Sequence, residues 1–169
     1  MAPQPATATV ILRRAIAADL DFIHAAERGP GYERLVGQWS MAEHSAALAR
    51  QDTCYLIGRR AGQAAEGFVI LQPLADVHEG AKLKRIVVTE PGRGFGRDLL
   101  AAVIDWVFRE TANERLWLDV FTYNERAQHV YRSLGLREDG LLRAAYRMPD
   151  GTRTDRLLMS ILRAEWPLP

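Results

Sequence analysis

Apolar positions change period several times along the chain, and each change marks an element. Val10–Arg13 is a short apolar run that predicts a first strand. Leu20, Ile23 and His24 then fall at helical spacing, predicting a helix over Asp19–Arg28 that Gly29-Pro30-Gly31 stops. A second helix begins at Ser40, since Ser40-Met41-Ala42-Glu43 has the form of a capping box, and it runs to about Arg50. Cys54–Arg60 and Gly67–Leu71, apolar runs on either side of Ala61-Gly62-Gln63, predict an antiparallel hairpin. Leu83–Val88 predicts a central strand ended by Pro91-Gly92. From Gly94 the period lengthens. Phe95, Leu99, Ala102, Val103 and Trp106 recur every three or four residues and predict one long helix to about Arg109. Leu116–Phe121 is the next strand, and Ala127, Val130, Tyr131 and Leu134 stripe a short helix ending at Gly135. A turn at Asp150-Gly151 precedes a last strand over Arg153–Leu162.

This order describes an α/β chain with a mixed sheet and a long helix directly after a central strand. Trp106 and Trp117 are expected in its core. Composition narrows the picture further. The 169 residues, 48% hydrophobic and 25% charged, suit one globular domain over residues 10–165. Lys and Arg number 22 against 21 Asp and Glu, so no global field draws the chain to nucleic acid or to an anionic membrane, and neither partner is expected. No apolar run approaches the roughly 20 residues of a membrane span. The single cysteine, Cys54, cannot form an internal disulfide, and no His, Asp or Glu spacing suggests a metal; a cytoplasmic setting is expected. His24, His44 and His129 read as ordinary helix residues. Residues 1–9, rich in Ala, Pro and Thr, read as a flexible tail rather than a signal peptide.

The strongest chemical signal is Val88-Thr89-Glu90-Pro91-Gly92-Arg93-Gly94-Phe95-Gly96-Arg97, between a strand and a helix. The first N–H groups of a helix have no intrahelical partner, and glycines let an anion reach them. No Lys-Ser or Lys-Thr follows, so this is not a P-loop. G-x-G-x-x-G fails as well, because Arg97 or Leu99 stands where its last glycine belongs. A phosphate site and a turn that merely packs strand on helix both remain open on spacing alone.

Gly94-Phe95-Gly96 with Arg93 before it and Leu99-Leu100 after it, followed by Asn124-Glu125-Arg126-Ala127, Tyr131 and Gly135-Leu136, resembles the GNAT superfamily of acetyl-CoA-dependent N-acetyltransferases. The second set matches the family's Asn-x-x-Ala-x-x-x-Tyr-x-x-x-Gly-Phe, and the element order agrees along most of the chain. In the family loop Gln/Arg-x-x-Gly-x-Gly/Ala, Pro91 occupies the Gln/Arg position. The ending, Gly140–Arg143 through Asp155–Ser160, is similar to the branch with ribosomal-protein and polyamine acetyltransferases.

The resemblance implies a mixed, mostly antiparallel twisted sheet of six to seven strands flanked by about four helices. It implies acetyl-CoA as cosubstrate, without metal, in a V-shaped opening between Ile86–Val88 and Leu116–Phe121. Backbone groups of Ile86 and Val88 would pair with pantetheine, amides of Arg93 to Arg97 would hold the pyrophosphate, and Asn124 would contact the pantetheine arm. The full cofactor-binding set is Ile86, Val87, Val88, Arg93, Gly94, Phe95, Gly96, Arg97, Asp98, Asn124, Ala127 and Tyr131. Tyr131 would be catalytic, protonating the departing thiolate. His78, Glu79 and Asp119 are the candidates for the base, since Leu83–Val88 carries no carboxylate. Acceptor recognition falls to Tyr32–Trp39, the Ser40 helix and the Arg143–Thr154 turn, with Trp39 and Tyr146 able to stack on substrate. Trp39 equally suits a staple at the start of its helix. The acceptor would be a small-molecule amine or a protein N-terminus, and a homodimer is the expected assembly. Two other readings stand beside this one: a non-catalytic CoA-binding module of the same fold, and a nucleotide-binding protein.

Overall fold

The computed structural model describes residues 9–166; the expected tail lies outside them up to residue 8. In chain order come β1 (Val10–Arg14), α1 (Leu20–Ala26), α2 (Met41–Leu48), β2 (Cys54–Arg60), β3 (Gly67–Leu71) and β4 (Gly80–Val88). Then follow α3 (Phe95–Glu110), β5 (Arg115–Phe121), α4 (Glu125–Ser133), β6 (Arg137–Arg147) and β7 (Arg153–Leu162). Among the described residues the strands form one sheet of seven, ordered β1-β2-β3-β4-β5-β7-β6, with β4–β5 its parallel pair and every other pair antiparallel. No described helix is long and apolar enough to cross a membrane.

The apolar runs of β2 and β3 are continuous because helices cover both faces of the sheet. Leu56, Val69 and Leu71 pack under Leu99, Val103 and Val107 of α3. Their neighbours Tyr55, Ile57, Phe68 and Ile70 pack against Leu20 and Ile23 of α1 and Ala47 of α2. α3 lies close on the sheet because two strand positions have no side chain. A Cβ at Gly58 would stand within 2.4 Å of Leu99 Cδ1, and one at Gly67 within 2.6 Å of the Val87 carbonyl.

β6 has no counterpart in the sequence reading, which passed from the short helix to a turn over Arg143–Thr154. The strand sits at the sheet edge, is exposed along nearly its whole length and shifts register twice against β7, so no period of burial marks it. Trp117 departs from expectation too. Leu116, Leu118 and Val120 take the core face of β5, which turns Trp117 to the other face beneath Lys82 and Arg115, 4.6 and 5.9 Å from its ring centre. Trp106 packs half-buried at the core's rim, with the Arg14 guanidinium 5.4 Å from its ring centre.

His44 is not an ordinary helix residue; it belongs to a buried polar cluster joining α1, α2 and β4. Glu27, fully buried, accepts from Trp39 N–H at 2.8 Å, Arg28 Nη1 at 2.8 Å and Arg85 Nη1 at 2.5 Å. His44 Nδ1 lies 3.0 Å from the Tyr55 hydroxyl, and Nε2 lies 3.1 Å from Glu27 Oε1, outside hydrogen-bond geometry. The capping box forms as read, Glu43 N–H donating to Ser40 Oγ at 3.2 Å and Ser40 N–H to Glu43 at 2.7 Å. Trp39 meets the His44 ring edge-on at 5.5 Å, which is the staple across the start of α2.

Two stability measurements follow from this packing. Gly67→Ala should lose about 1–3 kcal/mol in urea unfolding, because the new methyl meets a backbone carbonyl that cannot turn aside. Burial, against the pull of Glu27, holds the His44 imidazole below its usual value, so protons bind it more readily in the unfolded chain. Its contribution is therefore complete above about pH 6.5 and is lost as pH falls through that value toward the folded-state pKa. Unfolding between about pH 7 and pH 5.5 should show this decline, and His44→Gln should flatten it.

Candidate active site

The site arises where the sheet stops being continuous. β4 and β5 pair only at Gly80↔Arg115, Ala81↔Leu116 and Lys82↔Trp117, and beyond these rungs they separate. β5 keeps seven paired positions with β7, and β4 keeps its ladder with β3, so each strand stays anchored on its outer edge. Between them opens a cleft of about 1240 Å³, larger than most small-ligand pockets. α3 starts at the open end of β4 and α4 at the open end of β5, which aims two helix N-termini at the same space.

Ile86, Val88, Gly94, Gly96, Arg97, Asn124, Ala127 and Tyr131 line this cleft, as does Pro91. The side chains of Val87, Arg93, Phe95 and Asp98 do not. Strand alternation sends Val87 into the core beneath α1. Phe95 is buried, with Arg60 stacked 4.8 Å from its ring centre. Arg93 points to solvent and pairs with Glu90 at 2.9 Å. Asp98 sits in the first turn of α3, half-buried and outside the lining.

Gly94 is the N-cap of α3 at φ 82°, a left-handed conformation that favours glycine. Its carbonyl accepts from the N–H groups of Arg97 and Asp98, which takes the Arg97 amide out of the expected phosphate-holding set. The amides before it in the turn have no intrahelical carbonyl. The motif reading passed over Arg126 as an unspecified position, yet its guanidinium reaches the glycine turn; a Cβ at Gly92 would meet Nη2 at 3.4 Å. With Arg97 it brings positive charge to that end of the cleft.

The open edge of β4 is partly capped. The Tyr32 hydroxyl donates to the Val88 carbonyl at 2.9 Å and accepts from the Val88 N–H at 3.0 Å. Both groups expected to pair with pantetheine at Val88 are thus taken, and Ile86 is the expected position left open. Only the position of Tyr32 in the segment assigned to acceptor recognition hinted at this contact. Asn124 caps α4, its Oδ1 accepting from Ala127 N–H at 3.2 Å, so its amide donor is the group left for a ligand.

Tyr131 is 8% exposed, and its hydroxyl has no hydrogen-bond partner among the described residues. Burial pushes the phenol up to about 12, against the nearby Arg156 charge, so it keeps its proton across the neutral range. Of the three base candidates only Asp119 reaches the cleft. His78 and Glu79 lie in the turn before β4, where the Glu79 carbonyl accepts from Glu114 and Arg115 N–H at the closed end of the strand pair. Asp119 is held at 2.7 Å from Lys82 Nζ and 2.5 Å from Arg156 Nη2. Burial alone would raise its carboxyl, but the Lys82 hydrogen bond and the Arg156 charge outweigh it and hold the group below the usual carboxylate range.

Of the segments assigned to acceptor recognition, 32–39 and 143–154 wall the cleft, whereas the Ser40 helix contributes no lining residue because it packs behind Trp39. Leu35, Val36, Gly37 and Trp39 form one side, and Leu142, Ala145 and Tyr146 another. Tyr146 is aimed inward by an irregularity in β6, where Ala144 takes φ 51° and donates its N–H to Asp155 at 2.7 Å. His129 faces the cleft from α4. No group of three or more His, Cys, Asp or Glu among the described residues is placed to hold a metal ion.

Comparison with known proteins agrees with this architecture. A spermidine N-acetyltransferase from Vibrio cholerae, solved in complex with CoA and spermine, superposes with a TM-score of 0.79 at 23% identity over 93% of this chain and 97% of that one, showing the same fold. In sequence, the spermidine N(1)-acetyltransferase of Vibrio cholerae is 31% identical over 77 residues, 45% of this chain and 44% of that protein. The [ribosomal protein bS18]-alanine N-acetyltransferase of Haemophilus ducreyi is 32% identical over 69 residues, 41% of this chain and 47% of that protein. Each match spans less than half of the curated relative's length. The family model described as acetyltransferase (GNAT) family matches residues 20–136, which contain the splayed strands, the glycine turn and Tyr131, and the chain belongs to that family.

Proposed function

We propose that the protein is an N-acetyltransferase that moves an acetyl group from acetyl-CoA to a primary amine by direct attack within a ternary complex. The observation that carries this reading is that the glycine turn of α3, the open edge of β4 at Ile86 and the unpartnered Tyr131 phenol share one cleft. The turn's amides, with Arg97 and Arg126, would hold the pyrophosphate, and the Ile86 backbone and the Asn124 amide would hold pantetheine. Arg93 and Phe95 enter this proposal through their backbone amides alone, whereas Asp98, whose N–H is given to Gly94, and Val87, paired with Phe68 on β3, do not enter it. Residues 10–165 act as one transferase domain in the cytoplasm. The acceptor is a small-molecule amine or a protein N-terminus, and a second copy of the chain pairs with the first.

In the reaction the neutral amine nitrogen bonds to the thioester carbonyl carbon, the C–S bond breaks, and the nitrogen gives up a proton. A thiol titrates near 8.5, roughly three units below the Tyr131 phenol, so outright proton transfer to the thiolate is uphill. Tyr131 therefore acts by hydrogen-bonding the developing thiolate, which acquires its proton from water on release. Asp119, ionised between two cations, is suited to accept a hydrogen bond from the incoming ammonium, and a water beside it carries the proton away. A non-catalytic CoA-binding module has no use for an unpartnered phenol at the fork.

Acetyl-CoA, added in excess of its Kd, should raise the melting temperature by mass action, and CoA should do so as well; a rise with ATP alone would overturn the transferase reading. Tyr131→Phe should lower kcat for acetyl-CoA-dependent thiol release by about tenfold to a hundredfold with little change in the acetyl-CoA KM. Because burial sets the phenol at about 12, its ionisation should cause no loss of kcat on the alkaline side below about pH 10. Unchanged turnover in the Phe variant would remove Tyr131 from the mechanism.

A further inference from the structure

We infer that the acceptor is a small primary amine that also carries a carboxylate, and that Lys84, Arg85 and Tyr146 select it. The inference rests on the transferase reading and concerns the arm of the cleft away from the glycine turn.

Four cations stand on this arm, Lys82, Lys84, Arg85 and Arg156. They face two carboxylates, and both are already engaged: Asp119 lies between Lys82 and Arg156, and buried Glu27 binds Arg85 Nη1. The arm is left positively charged. Lys84 has no carboxylate partner among the described residues; its Nζ lies 5.2 Å from the centre of the Trp39 ring, which is electron-rich but not anionic. Partial desolvation and then the neighbouring charges of Lys82 and Arg85 lower its pKa, which marks an ammonium short of counter-charge.

Arg85 spends one nitrogen on Glu27 and turns another toward Gly37. A side chain at that glycine would begin 3.2 Å from Arg85 Nη2 and 3.5 Å from the Tyr146 hydroxyl, so the absent side chain keeps this corner of the cleft open. Neither donor has an acceptor among the described residues. The Arg85 guanidinium carbon also lies over the Trp39 ring, 4.7 Å from its centre. A guanidinium edge and a hydroxyl thus open on one corner, with Glu27 bound to the other end of the guanidinium and the Lys84 ammonium set against the same Trp39 ring. A carboxylate is the group whose lone pairs suit all three, and charge-assisted hydrogen bonds of this kind are the strong ones. A protonated polyamine offers donors only and would add cations to an arm that already holds a surplus. With the substrate's carboxylate at Gly37, Asp119, which lines the same cleft, is the carboxylate of this arm left to meet its amine.

The test compares α-amino acids with their own carboxamides and with spermidine as acceptors in acetyl-CoA-dependent thiol release. Wild type should favour the acids over the amides by about tenfold or more in kcat/KM, with a smaller margin at high salt. Lys84→Glu, a change at an exposed strand position, should lower kcat/KM for the acids by about tenfold and raise it for spermidine. Tyr146→Phe, which keeps the ring, should raise KM for the acids more than it lowers kcat. A wild type that prefers spermidine or the amides overturns the inference, as does a Lys84→Glu variant with the wild-type ranking. The melting shift with acetyl-CoA separates the two levels. A retained shift without preference for acids overturns this inference alone, and a wild type with no shift overturns the transferase reading together with it.

Discussion

The parting of β4 from β5 after three parallel rungs is the constraint on which the rest of the molecule depends. In a continuous sheet the N–H and C=O groups of Ile86 and Val88 would be spent on β5. Here each strand is held by its other neighbour, so the gap survives without loss of either ladder. The exposed groups are then managed locally. Tyr32 answers both groups of Val88, and the sheet edge that remains faces a cleft able to accept an extended ligand. The helices that follow the two strands inherit their divergence, and their N-termini converge on the space between.

Geometry at the fork depends in turn on the buried cluster beneath it. Glu27 alone in the interior would be a severe desolvation penalty; with Arg85, Arg28 and the Trp39 amide it becomes a clamp joining α1, the chain before α2 and β4. The clamp fixes two residues with opposite orientations. Arg85 has one end in the core and another in the cleft, and Trp39 staples α2 while presenting its ring beneath Lys84 and Arg85. Core electrostatics and the shape of the cationic arm of the cleft are therefore one arrangement, which is why the charge of that arm is built into the fold rather than added at its surface.

The chain shares its fold with a polyamine acetyltransferase, yet the arm that would meet the acceptor is cationic. A shared fold leaves the charge of this arm free to differ, since its cations are side chains of β4 and β7 and its other walls come from loop 32–39 and the β6–β7 edge.

Much of this was legible in the sequence. Apolar patterning placed three helices and six of the seven strands, because each buries a stripe or a face against a neighbour, and a capping box at Ser40 placed the fourth helix. The turn at Gly94 was legible because a left-handed N-cap requires glycine, and Asn124 and Tyr131 were legible as a spaced pair on a short helix. β6 was not, since an edge strand exposed along nearly its whole length has nothing to alternate. Nor were Tyr32 at Val88, Arg126 over Gly92, or Arg85 between Glu27 and Gly37, which join positions far apart in the chain through contacts that leave no local pattern. The sequence by itself determined every element but β6, the family and the glycine turn at the start of α3, all of which depend on neighbours within a few residues. Only the tertiary structure decided which charges share one arm of the cleft and which backbone groups stay open, because hydrogen bonds and ion pairs between distant segments are set by how the sheet splays.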